Sequence, residues 1–125
     1  MTWVAVAFPR LSDAMKLFER LRQVTEWVIV LEMDIFPLPY PFIVIADVPE
    51  SEQLGKYLED LEDFEIRYGA DACREPLMWG RVIDTPLKQY LGEGENLNNV
   101  VDLILWRMEE MKITPNSSPE GEYRA

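Results

Sequence analysis

The sequence predicts an α+β fold: an antiparallel sheet of four or five strands, helices on one face, and an added C-terminal helix. Three observations predict it. The chain has 125 residues, enough for one self-sufficient core and too few for two ordinary domains. Short β-rich apolar runs alternate with segments whose apolar residues recur at helical spacing. Two of the runs are joined by a proline-rich link too short for a crossover helix, which favours antiparallel pairing.

Thr2 to Phe8 (TWVAVAF) is apolar and closed by Pro9, the pattern of a buried strand. Ser12 is placed to cap a helix in which Ala14, Leu17, Phe18, Leu21 and Val24 form one stripe. Trp27 to Phe36 reads as a second strand, with Glu32 and Asp34 turning one face polar towards its end. Pro37, Pro39 and Pro41 cannot pair in a ladder and mark a stiff loop, and Phe42 to Val48 follows as a third strand. Asp47-Val48-Pro49-Glu50 has the form of a capping box. It predicts a second helix to about Phe64, with Leu54, Tyr57, Leu58, Leu61 and Phe64 as its apolar stripe. Glu65–Gly69 and Leu77–Asp84 read as further strands, with a loop over Ala70–Pro76 between them. Thr85-Pro86 opens a short helix that stops at Gly92, and Asn96 caps a last helix from Leu97 to about Ile113. Residues 1–114 are thus expected to form one domain, and 115–125, without apolar periodicity, a mobile tail.

The order strand, helix, strand, strand, helix, strand resembles the split βαβ pattern of ferredoxin-like folds, with the last helix as an addition. The resemblance lies in element order alone.

Composition removes several chemistries. The chain has no histidine and one cysteine, so histidine triads, zinc clusters and internal disulfides are excluded. The lone thiol, Cys73, has no histidine to activate it, and Asp71 and Glu75 offset the neighbouring Arg74, so it reads as structural. Glu59-Asp60-Leu61-Glu62-Asp63 lacks the mid-loop glycine of a calcium loop, and no metal or cofactor is expected there. Gly92 to Asn96 lacks the lysine of a phosphate-binding loop. No catalytic pattern emerges, and the expectation is a non-enzyme. The start shows no basic leader, and the longest uncharged run, Ile35 to Ala46, has 12 residues interrupted by prolines. A cytoplasmic protein that neither enters a membrane nor binds nucleic acid directly is expected, because its charge opposes phosphate.

The charge is uneven. The chain carries a net charge of −11. Residues 46–66 hold Asp47, Glu50, Glu52, Glu59, Asp60, Glu62, Asp63 and Glu65 against Lys56 alone, a net charge of −7. Carboxylates near the end of the predicted helix oppose its dipole and repel one another, and a sequence that keeps a locally unfavourable arrangement points to a partner. Glu52, Glu59, Asp60, Glu62, Asp63 and Glu65 are the candidate partner-binding residues, and the partner they fit is a basic protein. The expected role is a protein-binding inhibitor, such as an immunity protein or a phage-type inhibitor of a nucleic-acid enzyme. The C-terminal helix supports an alternative. Leu97, Val100, Val101, Ile104, Met108 and Met111 form a stripe that Leu103, Leu105 and Trp106 widen beyond one face. A helix this apolar either packs against both the sheet and the Thr85–Leu91 helix, the favoured reading, or meets another chain. On the second reading Trp106, Met108 and Met111, with Trp79, mark a candidate homodimer or partner surface, and the alternative role is a dimeric small-ligand-sensing regulatory domain.

Overall fold

The computed structural model describes residues 2–34 and 38–113. The chain forms β1 (Thr2–Phe8), α1 (Leu11–Leu21), β2 (Val28–Glu32) and β3 (Phe42–Val48). A 3-10 turn at Ser51–Gln53 then leads into α2 (Leu54–Tyr57), followed by β4 (Glu65–Tyr68), α3 (Ala70–Trp79) and β5 (Arg81–Asp84). Two more 3-10 turns, Pro86–Tyr90 and Leu97–Asn99, precede α4 (Val100–Ile113).

The strands form one sheet in the order β4-β1-β3-β2-β5, and every neighbouring pair is antiparallel. The crossover from β1 through α1 to β2 passes β3, and the crossover from β3 through α2 to β4 passes β1. These are the two interleaved split units that the element order predicts. β5 continues the sheet beyond β2.

β1 and β3 read as unbroken apolar runs because both of their faces are covered. Val4, Val6, Phe8, Val44 and Ala46 meet Ala14, Leu17, Phe18 and Leu21 of α1 and Leu54, Leu58 and Leu61 of the α2 region. Trp3, Ile29, Leu31 and Ile45 meet Cys73 and Leu77 of α3, Leu87, and Val100, Ile104 and Met108 of α4. Burying a leucine-sized side chain contributes about 2 kcal/mol, so the two layers share the driving force of folding. The helices of the split units lie on one face as expected, but α3 and α4 occupy the other, so the sheet is not left bare on one side.

Several element boundaries correct the sequence reading. β2 ends at Glu32 rather than running on past Asp34, and Ser12, expected as a cap, lies inside α1, whose N-cap residue Arg10 makes no side-chain cap bond. The helix expected to run to Phe64 is a single α turn, and the acidic residues beyond it leave the helix at Leu58–Asp60. Its expected cap, Asp47, lies in β3 and is fully buried, so it caps nothing. Without a cap, with Gly55 inside, and with carboxylates crowding the C-terminal side, further turns are unfavourable. Conversely, Ala70–Pro76, read as a loop, opens the ten-residue helix α3, which buries Cys73 and Leu77 one turn apart and tolerates Pro76 inside it. The last strand accordingly starts at Arg81 rather than Leu77. Gly80 makes that abrupt exit: its N–H donates to the Pro76 carbonyl at 2.7 Å, and an added Cβ would approach the same oxygen to 2.7 Å. Thr85 and Asn96 begin 3-10 turns, each side chain accepting from the backbone N–H two residues on. The tail expected at 115–125 lies outside the described residues.

Candidate partner-binding surface

Arg20 of α1 explains how the acidic segment turns. Its guanidinium donates to the carbonyls of Tyr57 (2.9 Å) and Glu59 (3.0 Å) and to Asp60 Oδ1 (3.0 Å). This charge-assisted clamp satisfies carbonyls that a longer helix would have used. Asp60 adopts φ +62°, a left-handed conformation that aspartate tolerates better than most residues. Three residues on, Tyr40 donates its hydroxyl to Asp63. That bond, followed by burial and the charges of Asp63 and Glu65, pushes the Tyr40 phenol above its ordinary pKa.

The six candidate carboxylates therefore divide. Asp60 and Asp63 hold the turn in place. Glu52, Glu59, Glu62 and Glu65 are exposed, and none of them has an ion-pair partner among the described residues. Glu59 to Glu65 follow one another through the turn into β4, whereas Glu52 stands apart on the 3-10 turn before α2.

The second candidate set also divides. Trp79 and Trp106 are each 57 % exposed, but Met108 is 1 % exposed and packs in the core beneath α4, so it is not a surface residue. The Met111 side chain lies outside the described residues. The apolar breadth of α4 is largely absorbed inside the molecule. Val100, Ile104 and Met108 are buried, with Leu97, Val101 and Leu105 packed around them.

Beside Trp79 the fold leaves a cavity of about 530 Å³ that the sequence reading missed. Its floor is Ala5 and Ala7 of β1 with Ile43 of β3. One wall is a single face of α3, formed by Ala72, Glu75, Pro76 and Trp79 at helical spacing. Leu38, Pro39 and Tyr40 line it from the proline-rich loop. Glu65 and Arg67, which pair with Ala7 and Ala5 across the β4–β1 ladder, stand at its edge. The trough exists because β1 carries alanine where larger side chains would have filled the space. Two alanines at alternate positions of an otherwise bulky strand are its one sequence signal.

A buried polar node sits elsewhere on the same face. Asp47 is fully buried, and its Oδ2 accepts from Arg107 Nε at 3.4 Å. The Arg107 guanidinium also lies 4.5 Å from the Trp27 ring centroid. Burial raises the Asp47 pKa, and the Arg107 charge and hydrogen bond pull against that rise. Asp47 Oδ1 and the indole nitrogen of Trp3, its cross-strand partner, have no hydrogen-bond partner among the described residues. The node fastens α4 to the sheet.

Cys73 is buried, and burial pushes its thiol up to about 12, so the thiolate is scarce at neutral pH. Among the described residues no three potential metal-binding side chains come together, and no helix is long and apolar enough to cross a membrane. The arrangement offers a pinned anionic turn continuous, through Glu65 and the Tyr40–Asp63 bond, with an apolar trough. Comparison with family models, curated proteins and solved structures finds no match to this chain.

Proposed function

We propose that this is a non-catalytic, cytoplasmic protein-binding module that inhibits or neutralises a basic partner protein. An immunity protein facing a toxin nuclease, or a phage-type inhibitor of a nucleic-acid enzyme, has this shape of role. The observation that carries the reading is the exposed, unpaired set Glu59, Glu62 and Glu65 on a turn pinned by Arg20 and Tyr40. A pinned turn presents its carboxylates with little ordering cost on binding, and like charges crowded together gain most from cations of a partner. The wider charge of −11 steers such a partner and repels nucleic acid.

Reversal of Glu59, Glu62 and Glu65 to lysine leaves Asp60 and Asp63 to hold the turn. Immobilised wild-type protein should capture from a cell extract a basic protein that the reversed variant does not retain. That capture should weaken steeply as salt rises. Equal retention by a folded reversed variant would sink the reading. The trough favours a second reading, a dimeric domain that senses a small ligand; a monomer at high concentration in sedimentation would count against it.

A further inference from the structure

We propose that the trough between α3 and the proline-rich loop is the receptor for an arginine side chain of the basic partner. The inference rests on the reading above and adds a second, chemically distinct contact to it. The acidic turn supplies charge without shape, whereas the trough supplies shape.

Its parts fit a guanidinium on an aliphatic stem. Ala5, Ala7 and Ile43 give an apolar floor for methylenes, which long basic side chains bury while their charged heads stay polar. Trp79 stands in the wall with 57 % of its surface open, and a flat cation stacks favourably on an indole face. Glu65 on β4 and Glu75 on α3 offer carboxylates that the described ion pairs leave unused. A carboxylate accepts the fork of an arginine through two parallel bonds. The volume of about 530 Å³ exceeds one side chain, so the flanking backbone of a partner segment enters with it.

Arg67 makes the proposal sharp, because it is the one cation among the described lining residues. For an anionic or zwitterionic ligand Arg67 would be the principal attraction. For an arginine it is a like charge that moderates affinity. The sign of its removal therefore identifies the occupant's charge.

The test titrates the isotope-labelled full chain with N-acetylarginine amide, following the Trp79 indole resonance and the backbone amides of Ala5 and Ala72. N-acetylcitrulline amide is the neutral probe of the same shape, and N-acetyllysine amide (free ε-amine) is the cation without the fork. The arginine probe should shift the trough resonances saturably, and both other probes should bind more weakly. Trp79→Ala should lower the affinity about threefold, in keeping with an exposed cation–π contact. Arg67→Gln should raise it about threefold, as expected for loss of one exposed like charge. Equal binding of the citrulline or lysine probe, shifts confined to the acidic turn, or weaker binding by Arg67→Gln would overturn the proposal. So would probe-free, concentration-dependent shifts of the same resonances, which would assign the trough to a second copy. If the probe misses the trough while partner capture still responds to reversal at Glu59 and Glu62, the trough assignment alone falls. If capture ignores the reversal, the reading beneath it falls.

Discussion

Asp47 shows how a single carboxylate can cost stability and still be retained. It is fully buried with only Oδ2 hydrogen-bonded, and burial outweighs Arg107 in setting its pKa above the ordinary value of 3.8. The folded state therefore holds this proton more tightly than the unfolded chain. Its contribution to stability is complete below about pH 4 and is lost as pH rises through the raised folded value. Asp47→Asn should flatten that part of the stability profile, so the variant and wild-type urea midpoints should diverge between mildly acid and neutral pH. Parallel profiles would mean that the Arg107 charge fully offsets the cost of burying Asp47. Thr85 is the opposite case, a buried hydroxyl with both functions used: it donates to the Val28 carbonyl at 2.7 Å and accepts from Leu87 N–H at 3.1 Å. Thr85→Val keeps the shape and orphans both groups, and should cost about 2 kcal/mol in chemical denaturation. The cap at Leu87 is local and the sequence predicts it, but the Asp47–Arg107 contact and the Thr85–Val28 bond could not be read from the sequence, because they join residues 60 and 57 positions apart.

At the scale of elements, the acidic turn depends on α1. Arg20 donates to two carbonyls and one carboxylate of a segment about forty residues away. Arg20→Ala should destabilise the molecule by about 1 kcal/mol, a value kept low by the partial exposure of the pair. Hydrogen exchange should also quicken at Leu58–Leu61 while β1 and β3 keep their protection, and unchanged exchange there would show that the turn stands unaided. This clamp is also why the sequence predicts a longer helix than the chain forms. Leu54, Leu58 and Leu61 have helical spacing and are buried as a helix would bury them, but a turn fastened by a distant arginine buries them equally well. In α3 the error runs the other way, because Pro76 looks like a break and only Cys73 and Leu77 carry the periodicity. The legible elements, β1, β3, α1 and the start of α4, are those whose pattern or cap is local: a short apolar run, a 3–4 stripe, and Asn96 accepting from the Asn98 N–H at 2.8 Å.

For the whole molecule, the net charge of −11 sets two responses to salt that run in opposite directions. The described ion pairs are mostly exposed and contribute little, so screening chiefly relieves self-repulsion. Raising salt from about 20 mM to about 500 mM should lift the melting temperature by roughly 3 °C while weakening capture of the partner. A melting temperature that falls with salt would mean that the ion pairs outweigh the repulsion. The outer strands β4 and β5 have four residues each and carry Glu65, Arg67, Arg81 and Asp84, which discourages edge-to-edge pairing between copies. The packing of α4 on the sheet and on Leu87 follows from its apolar breadth, whereas the cover that α3 adds and the trough beside it are illegible for one reason. Both depend on which strands become neighbours, and strand order is not written in any single segment.

The position of Met108, Ile104 and Val100 beneath the last helix has a bearing on synthesis. A ribosome delivers all five strands before it delivers α4. Until α4 clears the exit tunnel, Ile29, Leu31 and Ile45 have only α3 and Leu87 to cover them on that side, so a nascent chain stalled before Ile104 exposes apolar surface to chaperones.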